Sequence, residues 1–371
     1  MDRNFIKKKS GLLKILFLAT GWGIAGAIFA INDYMSVAHF VKDLGTNNEI
    51  NFLRNFVTSV FIASIGGILI GATEVFYFQK KFRKLSLGKA LTMKTFFYSA
   101  ALIMLILFGS IIYHSFFSNK NIFNPEVIAG VQGHMFSNLF WSQVITWSGV
   151  ILITQFVLAV SDKFGQGVLV QFLLGKYHKP KEETRIFMFL DIKSATAIAE
   201  KLKHKKYFEM LNDFFSDVTD PIIFNKGEIY QYVGDEITVS WKLENGIENN
   251  NCINCFFEIK DVIKNANERY IEKYDLVPDF KAGFHVGKLI TGEVGVVKKE
   301  IVFSGDVLNT SSRIQAECNK LNCSLLISED LLTLLPESKY NYEDRGNIKL
   351  RGKDEMIRLY SVTKQNHSIV R

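Results

Sequence analysis

Hydrophobic residues are spread unevenly along this chain. In the first 160 residues they gather into four apolar runs, at 12–31, 57–78, 96–117 and 139–160. A helix needs roughly 20 apolar residues to cross a bilayer, and each run has that length. The first is too long for a removable signal peptide, and no small-residue cleavage site follows it. Beyond residue 160 the runs shorten and become periodic. Val168, Leu169, Phe172 and Leu173 recur at helical spacing and predict an amphipathic coupling helix within 161–184, ended by Pro180 and Lys181-Glu-Glu.

From residue 185 the pattern alternates between strand and helix. Residues 185–190 form an apolar run ending in Asp191, which predicts a buried strand. Residues 195–202 and 207–224 carry helical spacing. Residues 228–232 and 237–241 flank Val233-Gly-Asp-Glu and predict a hairpin with Asp235 at its tip. A helix at 252–274, strands at 279–287 and 289–297, and a helix from about Gly305 follow, with further strands near 325–327, 347–350 and 358–362. Strand-helix-strand-strand-helix-strand is the order of an α+β ferredoxin-like domain. The chain is therefore expected to divide into an all-α four-helix transmembrane domain (1–160), a coupling segment (161–184) and a cytosolic domain (185–371).

Charge sharpens this division. Up to Val160, Lys and Arg number 14 against 6 Asp and Glu; the remainder holds 30 against 31. The basic excess thus belongs to the apolar half and argues for a lipid bilayer as its partner, not a nucleic acid. Arg3 and Lys7-Lys8-Lys9 precede the first run, and Lys80, Lys81, Arg83, Lys84, Lys89 and Lys94 fill the link between the second and third. By the positive-inside rule the N-terminus, that link and the C-terminal half face the cytoplasm, as an even number of spans requires. Glu74 lies one turn from Gln79-Lys80-Lys81 and is expected to reach the cytoplasmic interface. His39, His114 and His134 fall near the outer face, where interfacial histidines are a simpler expectation than a metal or haem site. Cys252, Cys255, Cys318 and Cys323 lack the spacing of a zinc ribbon and are expected to be free thiols.

The candidate chemistry is concentrated in a few positions. Asp191 in Phe187-Met-Phe-Leu-Asp-Ile-Lys and Asp235 in Tyr230-Gln-Tyr-Val-Gly-Asp-Glu-Ile each stand where an apolar run ends or turns. Two carboxylates able to share divalent metal suit reactions of a polyphosphate. Asn309 and Arg313 in Ser304-Gly-Asp-Val-Leu-Asn-Thr-Ser-Ser-Arg are four apart, so they share a helix face. An amide and a guanidinium there suit charge developing on phosphate.

Four blocks, Phe189-Leu-Asp-Ile, Val233-Gly-Asp, Ala282-Gly-Phe-His-Val-Gly and Gly305-Asp-Val-Leu-Asn-Thr-Ser-Ser-Arg, occur in that order. Over residues 185–362 the chain resembles the class III nucleotide cyclases, and its four-span anchor is similar to bacterial membrane-bound members. The resemblance implies a multi-pass protein of the plasma (inner) membrane and a head-to-tail homodimer with active sites at the interface. Asp191, Asp235 and the Ile192 carbonyl are implied to hold two divalent ions per site, Mg²⁺ or Mn²⁺. Asn309, orienting the ribose, and Arg313, facing the α-phosphate, are implied to come from the other protomer. Lys281 and Arg351 stand where the family binds triphosphate, with Lys and Arg exchanged relative to its usual pattern; the two cations differ in geometry. At the base-selecting positions the chain has Gln231 and Val302 in place of the Lys and Asp of adenine-specific members. ATP is the substrate that the family favours, with GTP or a pyrimidine triphosphate as alternatives. Val233-Gly-Asp-Glu-Ile is also near the hairpin of diguanylate cyclases, but the Asn309/Arg313 helix belongs to the class III pattern. A silent nucleotide-sensing module is the other alternative, and the four intact positions argue against it.

Overall fold

The computed structural model describes residues 3–43, 52–78, 81–82, 85–164, 174–337 and 340–365. They form two compact units, Met1–Leu173 and Leu174–Arg371. The 165–173 part of the expected coupling helix, and Gln79, Lys80, Arg83 and Lys84, lie outside the described residues.

The first unit contains α1 (Arg3–Asp43), α2 (Phe52–Thr73, continued by a π-helical turn, Glu74–Phe78), α3 (Leu87–Ser118), α4 (Pro125–Met135) and α5 (Asn138–Phe164). Among the described residues four stretches are long and apolar enough to cross a membrane: Gly11–Met35, Asn55–Phe78, Leu87–Phe116 and Asn138–Ser161. Small residues let α1 and α2 approach closely. A methyl at Gly26 would lie 2.7 Å from the Ser59 carbonyl, and one at Gly67 2.6 Å from that of Leu18. Glu74 is buried and ion-paired with Lys94. Pairing of this kind is how an ionisable group is accommodated among apolar helices. His114 packs against Gly130, and His134 meets Phe140 edge-on. The side chain of His39 is outside the described residues.

The second unit runs β1 (Lys181–Ile192), α6 (Ala195–Phe224), β2 (Glu228–Val233), β3 (Glu236–Lys242), α7 (Leu243–Ile247), α8 (Asn251–Asn265), α9 (Asn267–Tyr274), β4 (Phe280–Val294), β5 (Glu300–Ser304), α10 (Asp306–Lys320), β6 (Leu325–Ser328), α11 (Glu329–Leu332), β7 (Tyr340–Lys349) and β8 (Met356–Lys364). One sheet has the order β2-β3-β1-β4-β6-β8-β7, with β5 paired to β4. The order β2-β3-β1-β4, with α6 and α8 packed on one face, is the expected ferredoxin-like α+β arrangement. The two expected helices at 195–224 are one element broken at Lys203, where φ is 63°. The two strands expected at 279–297 are continuous as β4, and β5 was not foreseen. Pairing along its whole length with β1, β5 and β6 keeps β4 extended through Gly287 and Lys288.

Period-two alternation sorts the strands between two faces. Ile186, Met188, Leu190 and Ile192 pack with residues of α6 and α8 in the main core. Phe187 and Phe189 face the other way and meet Leu289 and Val307. The thiols are free: Cys252 and Cys255 belong to the main core, Cys318 to a separate cluster.

Candidate active site

The alternation of β1 carries Asp191 to the face on which α10 lies. The paired register then sets Glu236 of β3 and Lys281 of β4 on either side of it, in one row across three strands. Lys281 Nζ is 3.4 Å from Asp191 Oδ2, and Gln315 Nε2 of α10 donates to the same oxygen at 2.9 Å. Lys281 and Gln315 are both buried, whereas Asp191 keeps a quarter of its side chain exposed.

Asp235 reaches this place from a turn. Gly234, at φ +63°, lets β2 reverse into β3, a backbone conformation that costs glycine little. Asp235 then comes within hydrogen-bonding reach of Asp191. Burial, the hydrogen bond with Asp191 and the charge of Asp191 push the Asp235 carboxyl up to about 6. Burial and the charges of the two aspartates push Glu236 up to about 7. Two crowded acids resist ionising together, and a cation between them relieves that cost. The two carboxylates offer oxygen donors of the kind that hard divalent ions prefer. Among the described residues no group of three or more His, Cys, Asp or Glu converges as a metal cluster, so Glu236 flanks the pair and does not complete a third arm.

The glycines of Ala282-Gly-Phe-His-Val-Gly have a packing reason. A Cβ at Gly283 would lie 2.2 Å from the Gln315 backbone nitrogen, and one at Gly287 would lie 3.0 Å from Val307 Cβ. Both glycines allow α10 to press onto β4. His285, between them, shares a 2.8 Å hydrogen bond with Ser328, and burial lowers its pKa.

Asn309 and Arg313 belong to a different side of α10. At about 100° per residue, Arg313 lies roughly 160° and Asn309 roughly 120° around the helix from Gln315. Asn309 is exposed, and Arg313 Nη1 donates to the Gly352 carbonyl at 3.3 Å. Gly352, at φ +69°, and exposed Arg351 form the turn between β7 and β8. Lys353 from that turn ion-pairs with Asp306 at the start of α10, holding the Asp306 carboxyl below its usual range. One chain thus gathers Asp191, Asp235 and Lys281 in one group, and Asn309, Arg313 and the Arg351 turn in another. Lys281 and Arg351, expected together at a triphosphate, fall in different groups.

The two positions expected to select the base lie on β2 and β5, which pair with different strands, β3 and β4. Gln231 is exposed on β2, beside a bulge that shifts the register between Ile229 and Gln231. Val302 is half-buried on β5 opposite Gly292. Their sequence neighbours touch: the Tyr230 and Phe303 rings are 4.7 Å apart. Buried Arg185 lies over Phe303 and binds Glu183 and Glu228, each at 2.7 Å. Gln315 and Glu236 went unremarked as site residues in the sequence. Glu236 had a signal, its adjacency to Asp235; Gln315 had none before α10 was placed.

The family model for the adenylate and guanylate cyclase catalytic domain matches residues 177–363. Adenylate cyclase 2 of Rhizobium meliloti (strain 1021) is 34% identical over 209 residues, covering 56% of this chain and 58% of that protein. Receptor-type guanylate cyclase gcy-13 of Caenorhabditis elegans is 30% identical over 200 residues, covering 52% and 19%. The chain therefore spans less than two thirds of these relatives. A bacterial light-regulated adenylyl cyclase of known structure shares the fold, with a TM-score of 0.52, 22% identity and coverage of 60% of this chain and 64% of that one. With the family model matched across half its length, from just before β1 into β8, this chain belongs to the adenylate and guanylate cyclase catalytic-domain family.

Proposed function

We propose that the protein is a membrane-bound nucleotide cyclase, converting ATP by preference to 3′,5′-cyclic AMP and pyrophosphate. The observation that carries this reading is the convergence of Asp191 and Asp235 from β1 and the β2–β3 turn. With the Ile192 carbonyl these residues would hold two Mg²⁺ or Mn²⁺ ions, whose chemistry is to acidify a hydroxyl and neutralise a triphosphate. In the reaction the ribose 3′-oxygen forms a bond to the α-phosphorus, the bond to pyrophosphate breaks, and the hydroxyl proton leaves. Asn309 would orient the ribose, and Arg313 would oppose charge growing on the α-phosphate. Arg351, exposed in the turn that Arg313 contacts, would meet the outer phosphates.

Asn309 and Arg313 face away from the aspartates across α10, which supports a site completed by a second copy. A two-fold homodimer would pair the aspartate group of one protomer with the Asn309/Arg313 group of its partner, twice over. The apolar first unit, with its flanking lysines, supports an anchor in the bacterial plasma membrane and a cytoplasmic catalytic unit. Residues 1–160 would be that anchor, 161–184 a coupling segment and 185–371 the catalytic domain. ATP is favoured by the adenylate cyclase relative, while Gln231 and Val302 leave the base pocket short of charged readers.

The decisive test is incubation of the purified full chain with ATP, GTP, CTP or UTP and Mn²⁺ or Mg²⁺, with products identified by mass spectrometry. A cyclic nucleotide and pyrophosphate in equal amounts are expected. No cyclic product from any of the four would refute the reading.

A further inference from the structure

We infer that Lys281 and Gln315 are positioning residues for the Asp191 carboxylate, fixing one of its oxygens so that the other is presented to a divalent cation. The inference rests on the reading of Asp191 as a cation-holding residue and goes beyond it by assigning the groups that hold Asp191 itself.

Three observations carry it. First, the two donors arrive from different elements, β4 and α10, and converge on Oδ2 at 3.4 and 2.9 Å. Oδ1 takes neither. Second, Lys281 is 7% exposed and Gln315 is 5% exposed. The Lys281 ammonium lies against the Asp191 carboxylate in a largely enclosed position. Folding alone does not demand such a pair, because apolar residues of similar volume fill a site of this kind as stably. Third, the reach of the Gln315 amide is set by the main chain. Gly283, two residues after Lys281, has no Cβ, and one placed there would lie 2.2 Å from Gln315 N and 2.7 Å from Ser311 O. The helix is pressed to the strand at the level where its amide meets Asp191. Groups that orient a cation's ligands in this way commonly alter affinity or activity by roughly 10–100-fold when removed. Because α10 also bears Asn309 and Arg313, one rigid helix positions a carboxylate on one face and a guanidinium on the other.

The test uses the full chain in detergent, with Mn²⁺ alone followed by calorimetry, and turnover measured separately. Gln315→Met keeps the length of the side chain and removes its donor. It is expected to weaken Mn²⁺ binding about tenfold and to lower kcat, with KM for the nucleotide nearly unchanged. Lys281→Met should lower kcat in the same way, and Lys281→Arg, which retains a donor for Oδ2, should recover most of the loss. Wild-type Mn²⁺ affinity in a folded Gln315→Met protein would overturn the inference. So would a Lys281→Met protein in which only KM rises, since that is the signature of a triphosphate contact. If Gln315→Met does not fold, the Lys281→Met and Lys281→Arg pair decides by the same split between kcat and KM. Asp191→Ala separates the two levels. Should it still bind Mn²⁺ and turn over, the cation reading itself falls; should it lose both while Gln315→Met and Lys281→Met keep both, only the positioning role falls.

Discussion

The aspartate group and the Asn309/Arg313 group sit on the same small domain, yet they are built in opposite ways. Asp191 is gripped by two buried donors and crowded by Asp235 and Glu236, with its geometry set by three paired strands and a helix. Asn309 is exposed on an open helix face, and Arg313 reaches a turn carbonyl. Crowded like charges held in place are what a cation site needs before the cation arrives. An amide and a guanidinium at the surface are what a surface awaiting a substrate and a second protomer needs. On the proposed reading the difference teaches that one chain carries two half-sites, one prepared internally and one to be completed by a second copy.

Removing an aspartate tests the prepared half and carries the largest expected effect. Asp191→Ala or Asp235→Ala should lower turnover roughly a thousandfold or more, because each loses several kcal/mol of charge stabilisation. Circular dichroism should show the fold retained. Activity near wild type in either variant would contradict the assignment.

The outward half should be nearly as costly alone but rescuable in combination. Arg313→Ala is expected to lose about a hundred- to a thousandfold in kcat. Mixed with Asp235→Ala under subunit exchange, it should recover about a quarter of wild-type activity, because half the dimers are mixed and each of those keeps one whole site of two. Absence of recovery despite proven exchange would argue for a site within one protomer.

Base choice should respond more gently. Gln231→Lys with Val302→Asp supplies polar readers that the pocket lacks, and kcat/KM for ATP over GTP should rise roughly tenfold. An unchanged ratio would place the base elsewhere than between β2 and β5.

The smallest effect is on stability, and its sign follows from the crowding. The Asp235 carboxyl lies at about 6 in the folded protein against 3.8 for the free side chain. The folded state therefore holds the proton more tightly, and metal-free stability falls as pH rises through that window. Asp235→Asn, which cannot ionise, should gain Tm relative to wild type as pH goes from 4 to 7 and level off above. Mn²⁺ should narrow that gap by stabilising the wild type. A gap that stays constant with pH would show that Asp235 is not crowded in solution.

Much of the fold was legible because burial writes a period into the sequence. The four apolar runs, the β1 strand before Asp191 and the Val233-Gly-Asp-Glu hairpin needed only local pattern and turn chemistry. Hydropathy alone did not name the partner of Glu74, which is Lys94, twenty residues on. The break expected near residue 288 failed for a related reason, since pairing with three other strands outweighs a local glycine.

The sequence by itself determined the candidate chemistry: two acids at strand ends, and an amide and a guanidinium one turn apart on a helix. Those features depend on residue type and short spacing. Only the tertiary structure decided which groups meet. Strand register set Lys281 beside Asp191 and away from Arg351, and the pressing of α10 onto Gly283 brought Gln315 to the same carboxylate from 124 residues away. The helix's own geometry then turned Asn309 and Arg313 to the opposite side. Such meetings rest on long-range packing between elements, and no local pattern records them.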